Sequence, residues 1–107
     1  GEPALSRRGV VVALLLGFLA GPAAAQEVSE SVKRTCRSVA DRTARTITYA
    51  QRANIDPATQ VQRVPDSLLE GVQAHMLLAA SRAPHLSEGE LAALGYSYCV
   101  SRRPTGR

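Results

Sequence analysis

Residues 29–53 read SESVKRTCRSVADRTARTITYAQRA, and their periodicity decides the fold. Val32, Cys36, Val39, Thr43, Ile47 and Ala50 recur at steps of three and four, which places them on one face of an α-helix. Ser29 precedes that stripe as an N-cap, a position where a hydroxyl accepts from an unpaired first-turn amide. The opposite face carries Arg34, Arg37, Asp41, Arg45 and Arg52. Arg37 and Arg45 each lie four residues from Asp41, a spacing at which an ion pair stabilises a helix by a few tenths of a kcal/mol. This ladder reads first as a solvated face, and Arg34, Arg37 and Arg45 are its candidates for touching a partner.

Downstream, the chain is punctuated by further helix starts. Asn54 suits a left-handed stop. Asp56-Pro57 reads as an N-cap followed by proline at the first helical position, opening a short helix expected to run to about Val64, where Pro65 interrupts it. Asp66 or Ser67 restarts the chain, with Glu70 placed to complete a capping box with Ser67. Leu68, Leu69, Val72, Met76, Ala79 and Ala80 then form an apolar face that Leu77 and Leu78 widen. That breadth predicts the third helix as the most central one, and serves a dimer as readily as a monomer core. Pro84 ends it. Ser87 and Glu90 form a second capping box before a helix expected from Glu88 to about Ser101. Its wide buried face is Leu91, Ala92, Leu94, Gly95, Tyr98 and Cys99, and Gly95 admits the close approach of another helix. Residues 102–107 read as a frayed tail.

Upstream, SRRGVVVALLLGFLAGPAAAQE from Ser6 has the three-part layout of a secretory signal. Arg7 and Arg8 supply the positive region, Val10 to Ala20 the apolar region, and Ala23-Ala24-Ala25 the small residues before a cleavage expected after Ala25. The Gly21-Pro22 break and the short apolar run argue against an uncleaved anchor. Pro22 stands where a lipoprotein box needs its cysteine. Ser6-Arg7-Arg8 partly resembles a twin-arginine signal, but the strongly apolar run and the absence of a downstream cofactor site favour the general secretory route. The expected locale is therefore periplasmic or secreted, with residues 26–107 as a single helical domain.

That compartment gives the two cysteines a role. An even pair in an exported protein is most simply one disulfide, here between Cys36 and Cys99, 63 positions apart. Closing such a loop stabilises by roughly 4 kcal/mol in the chain-entropy picture. The domain is small enough for that to matter. The predicted architecture is an all-α, small four-helix bundle whose first and last helices are covalently tied.

Composition narrows the function. The chain of 107 residues is 45% hydrophobic, with 13 basic and 9 acidic side chains. Its basic residues are spread along the chain without aromatic platforms, which argues against nucleic acid and leaves room for weak binding to anionic envelope surfaces. His75 and His85 are ten apart and the cysteines are spoken for, so no metal site and no cofactor are expected. Asp66, Ser67 and Glu70 share a helix with His75. A single straight helix is a poor frame for nucleophile, base and orienting acid, so a hydrolase built on His75 is only an alternative. Neither a Cys-x-x-Cys pair nor a glycine-rich phosphate loop is present. Among the tyrosines, Tyr96 and Tyr98 point about 160° apart on a helix. One is expected to be buried and the other free for a partner, so both are candidate partner-binding residues.

The early cysteine of the first helix and the closing Leu91-x-x-Leu94-x-Tyr96-x-x-Cys99 resemble a broad set of small exported, single-disulfide, helical proteobacterial proteins. That resemblance implies fold and compartment, and no activity. Periplasmic acid-stress chaperones are also short, helical and held by one disulfide, but the tryptophan before their first cysteine is absent here. Some periplasmic immunity proteins share the size and build, with a different cysteine arrangement. Neither likeness carries site residues over. The expectation is a non-enzymatic protein that binds a protein partner in the cell envelope, chaperone-like or inhibitory, as a monomer or homodimer. A surface-associated structural role on anionic envelope components is the other alternative.

Overall fold

The computed structural model describes residues 27–102. The signal expected at residues 1–25, and residues 103–107 of the expected tail, lie outside the described residues. Four helices follow in order: α1 (Glu30–Arg52), α2 (Pro57–Gln60), α3 (Ser67–Arg82) and α4 (Glu88–Arg102). The described residues contain no strand. No helix among them is long and apolar enough to cross a membrane.

Local chemistry sets most of the boundaries. Ser29 Oγ accepts from Val32 N at 3.1 Å and opens α1. Asn54, at φ 58°, turns the chain out of α1, and Ile55 N donates back to Ala50 O at 2.8 Å. Asp56 Oδ1 accepts from Ala58 N at 3.1 Å and Pro57 begins α2. The start of α3 belongs to Asp66, whose Oδ1 accepts from Leu69 N at 3.0 Å. The expected Ser67–Glu70 box therefore does not form; Glu70 instead meets Arg63 at 3.5 Å. Before α4 the box does close: Ser87 Oγ accepts from Glu90 N at 3.1 Å, and Glu90 Oε1 accepts from Ser87 N at 2.8 Å. The hydrogen bond from the Ser87 backbone, then that from its hydroxyl, hold the Glu90 carboxyl below the ordinary glutamate range.

Three further expectations are corrected. The second helix stops at Gln60 rather than near Val64, because Val61 turns extended (φ −73°, ψ 119°) and drops its side chain into the core. Val64, as the residue before proline, is itself disfavoured from helix. Residues 61–66 thus form a strap between α2 and α3. Secondly, α1 rather than α3 is the centre of the bundle. Seven of its residues are buried, from Cys36 through Ala50, and it packs most extensively against α4 while α3 packs against both. Ala40, Ala44 and Ala50 have no exposed surface, so neighbours approach the α1 backbone closely. On α3, Leu78 is exposed and Leu77 only half-buried, which narrows the stripe to Val72, Met76 and Ala80. Thirdly, α4 continues through Arg102, which the sequence assigned to the tail.

The disulfide joins Cys36 to Cys99 with a Cα–Cα distance of 5.6 Å, both side chains in the core. It ties α1 to α4, the first helix to the last. Cys36 lies near the start of α1 and Cys99 near the end of α4, so packing along their length requires the two helices to run in opposite directions. Gly95, one turn before Cys99, faces Met76 of α3. A Cβ there would collide with the Met76 sulfur and stand 2.9 Å from its Cγ.

Two outcomes follow from this packing. Cys36→Ala with Cys99→Ala lowers the unfolding free energy by about 3–4 kcal/mol in urea titrations followed by helical circular dichroism. A loss under roughly 1 kcal/mol would mean the helices hold each other without the bond. Gly95→Ala costs about 1–3 kcal/mol despite alanine's better helix propensity, because the added Cβ displaces the Met76 side chain from a fully buried position. Met76→Ala in the same chain relieves the clash, so the double variant falls short of the sum of the two single costs.

Candidate partner-binding surface

The disulfide also sets the position of Tyr96. One turn before Cys99 on α4, its ring comes to lie beside Arg37, the residue after Cys36. The Arg37 guanidinium carbon sits 4.0 Å above the ring centre. At a partly exposed site such a contact contributes about 0.5–1 kcal/mol. It also replaces the expected ladder: neither Arg37 nor Arg45 forms an ion pair with Asp41 among the described residues.

Around this stack, α1 and α4 enclose a concavity of about 480 Å³ lined by Glu30, Lys33, Arg34, Arg37, Ser38 and Tyr96. Lys33 Nζ is 3.3 Å from Glu30 Oε2, so the one carboxylate in the concavity already has a cation. Arg34 and Arg37 carry the uncompensated charge. Both are exposed, while Tyr96 is half-buried. The arrangement offers a partner one aromatic edge, two guanidinium groups and a hydroxyl on two helices that a covalent bond holds in register. Arg45 is exposed two turns further along α1 and does not line this concavity.

Tyr98 lies elsewhere, and it corrects the expectation that one of the two tyrosines is buried and the other free. Both are half-buried, and each ring is engaged by its own chain. His75 of α3 stacks on Tyr98 with ring centres 4.0 Å apart and planes 16° from parallel. Arg102 places its guanidinium carbon 4.2 Å from the same ring. His75 therefore ties α3 to α4 at the edge of the core. Among the described residues its ring meets Tyr98 and no serine or carboxylate. Tyr49 is the exposed tyrosine, at 59%. No group of three or more histidines, cysteines or acids is placed to hold a metal ion among the described residues.

Sequence reasoning missed a polar junction under the strap. Gln73 is 97% buried beside Thr43, on a stripe otherwise made of Leu69, Val72, Met76 and Ala80. Its Oε1 accepts from Val64 N at 3.0 Å, and its Nε2 donates to Gln62 O at 3.0 Å and to Thr43 Oγ1 at 3.4 Å. One side chain thus satisfies the strap's inward backbone groups and joins them to α1 and α3. The available signal was a glutamine three residues before Met76 and four after Leu69, where helical spacing demands a core residue.

No protein family, curated protein or solved structure matches the chain. The functional reading therefore rests on this geometry.

Gln73→Leu keeps the volume but strands Val64 N–H and Gln62 C=O. It destabilises by about 1–3 kcal/mol and exposes the strap. Amide hydrogen exchange at Val64 then speeds up well beyond the change in global stability. Equal changes at Val64 and at the α1 core would show that Gln73 does not hold the strap locally.

Proposed function

We propose that this chain is a small exported, non-enzymatic helical protein of the cell envelope that works by binding a protein partner across the α1–α4 face. The observation that carries the reading is the stack of Arg37 on Tyr96, with Arg34 and Ser38 in the same concavity. Tyrosine and arginine are the residues most enriched where protein interfaces hold their energy, because each combines a large contact surface with directional polar groups. The disulfide supports the locale, since a buried bond of this kind persists in an oxidising compartment. The signal-like residues 6–25 support it independently. Pre-arrangement by the bond also lowers the ordering cost of binding.

A photo-crosslinking residue at position 38 tests the reading in living cells. Irradiation is expected to yield a discrete protein adduct from position 38 and none from position 81, an exposed site on α3. Arg37→Glu reduces the adduct about tenfold, while the loss of its contact with Tyr96 lowers the melting temperature by only a few degrees and leaves the protein folded. Adducts of equal yield from both positions, or none from position 38, would overturn the assignment of this face.

A further inference from the structure

We infer that the partner presents an extended acidic segment, and that this segment lies in a second groove, between α1 and the strap of residues 61–66. The inference rests on the reading of the chain as a protein-binding protein and adds the chemistry of what it binds.

The groove is built from two adjoining cavities. One, of about 400 Å³, lies under the strap and includes Arg42, Thr46, Arg63 and Gln73 in its wall. The other, of about 260 Å³, runs on toward Arg34, Thr35 and Ser38. Val39, Arg42 and Val64 line both, so the two lie side by side along α1. Along α1 the groove extends from Arg34 to Thr46, about 18 Å at a rise of 1.5 Å per residue. An extended chain covers that distance in about five or six residues at roughly 3.3 Å each.

Its charge is one-sided. Arg34, Arg42 and Arg63 line it, and no aspartate or glutamate does. Glu70, outside the groove, reaches Arg63 at 3.5 Å, but both side chains are about half exposed, and water screens such a pair. The hydroxyls of Thr35, Ser38 and Thr46 stand along the α1 wall for a partner's polar groups.

The spread of the charges supplies the reason for an extended segment. Arg34 and Arg42 stand two turns apart on α1, about 12 Å at 1.5 Å per residue, and Arg63 faces them from the strap, a separation that a single compact acidic group does not span. Gln73 already takes the strap's inward Gln62 C=O and Val64 N–H, so the segment is held through the arginine and hydroxyl side chains and not through the strap's backbone.

The test uses the purified, disulfide-bonded protein and a fluorescent peptide of about eight residues alternating glutamate with alanine, read by anisotropy. Saturable one-to-one binding is expected, at least about tenfold weaker for the glutamine counterpart. Arg42→Glu and Arg63→Glu each weaken it by about tenfold. Arg45→Glu, the same charge change outside the groove, shifts it less than about twofold. Equal losses from Arg42→Glu and Arg45→Glu overturn the groove in favour of the general field of the protein. Equal binding of the glutamine peptide, absence of binding, or preferential Arg42-dependent binding to phosphatidylglycerol vesicles also overturns it. In cells, a position-38 adduct that survives Arg42→Glu but not Arg37→Glu removes the acidic-segment groove and leaves the α1–α4 partner surface standing. Loss of the adduct in both variants supports a partner that spans the two.

Discussion

The bond between Cys36 and Cys99 determines which surfaces this molecule is able to offer. A bundle whose central helix contributes mainly alanine, valine and one isoleucine to its core buries little apolar area per residue. Its helices stay together partly because the chain cannot let the first drift from the last. The cross-link lies next to Arg37 in sequence on one side and one turn from Tyr96 on the other. The same bond that limits the unfolded ensemble therefore sets the spacing of an arginine and a tyrosine on different helices. Stability and the presentation of the Arg37–Tyr96 face are in this sense one constraint.

Small residues make that constraint workable. Ala40 and Ala44 on α1 and Gly95 on α4 let the helices approach, and Met76 fills the space that Gly95 leaves open. A flexible thioether suits such an irregular gap better than a branched side chain. The cost is that a carbon added at position 95 displaces the Met76 side chain.

What could be read from the sequence was local or covalent. The stripe of α1, the Ser29 cap, the Asn54 stop, the Asp56-Pro57 start and the Ser87–Glu90 box all depend on neighbours within four residues. The pairing of Cys36 with Cys99 was legible because two cysteines admit a single intramolecular bond. The rest depended on distant partners. Asp66 and Ser67 are both good caps one position apart, and only the strap's path chose between them. The strap was invisible because it is held by Gln73, a polar residue on an apolar stripe. Arg37 looked committed to Asp41, but in the folded chain an aromatic face on α4 competes with that weak, solvent-screened pair. Breadth of apolar sequence also misled: α3 carries more leucine, yet α1 is central because its small residues bring neighbours closest.

The two candidate surfaces share a wall. Arg34 and Ser38 line both the α1–α4 concavity and the groove toward the strap, on either side of a ridge that continues to Arg42. Ser38, with a short side chain between two arginines one turn away in each direction, is the low point of that ridge. A polypeptide that crosses there meets Tyr96 on one side and the strap on the other. Once one side is engaged, the second contact becomes intramolecular, at an effective concentration in the millimolar range for a short connection. Two modest sites then act as one firm site, without a deep pocket on either side. On the proposed reading this lets a small domain hold a polypeptide on shallow surfaces, and it makes α1, the helix common to both, the one whose arginines matter most.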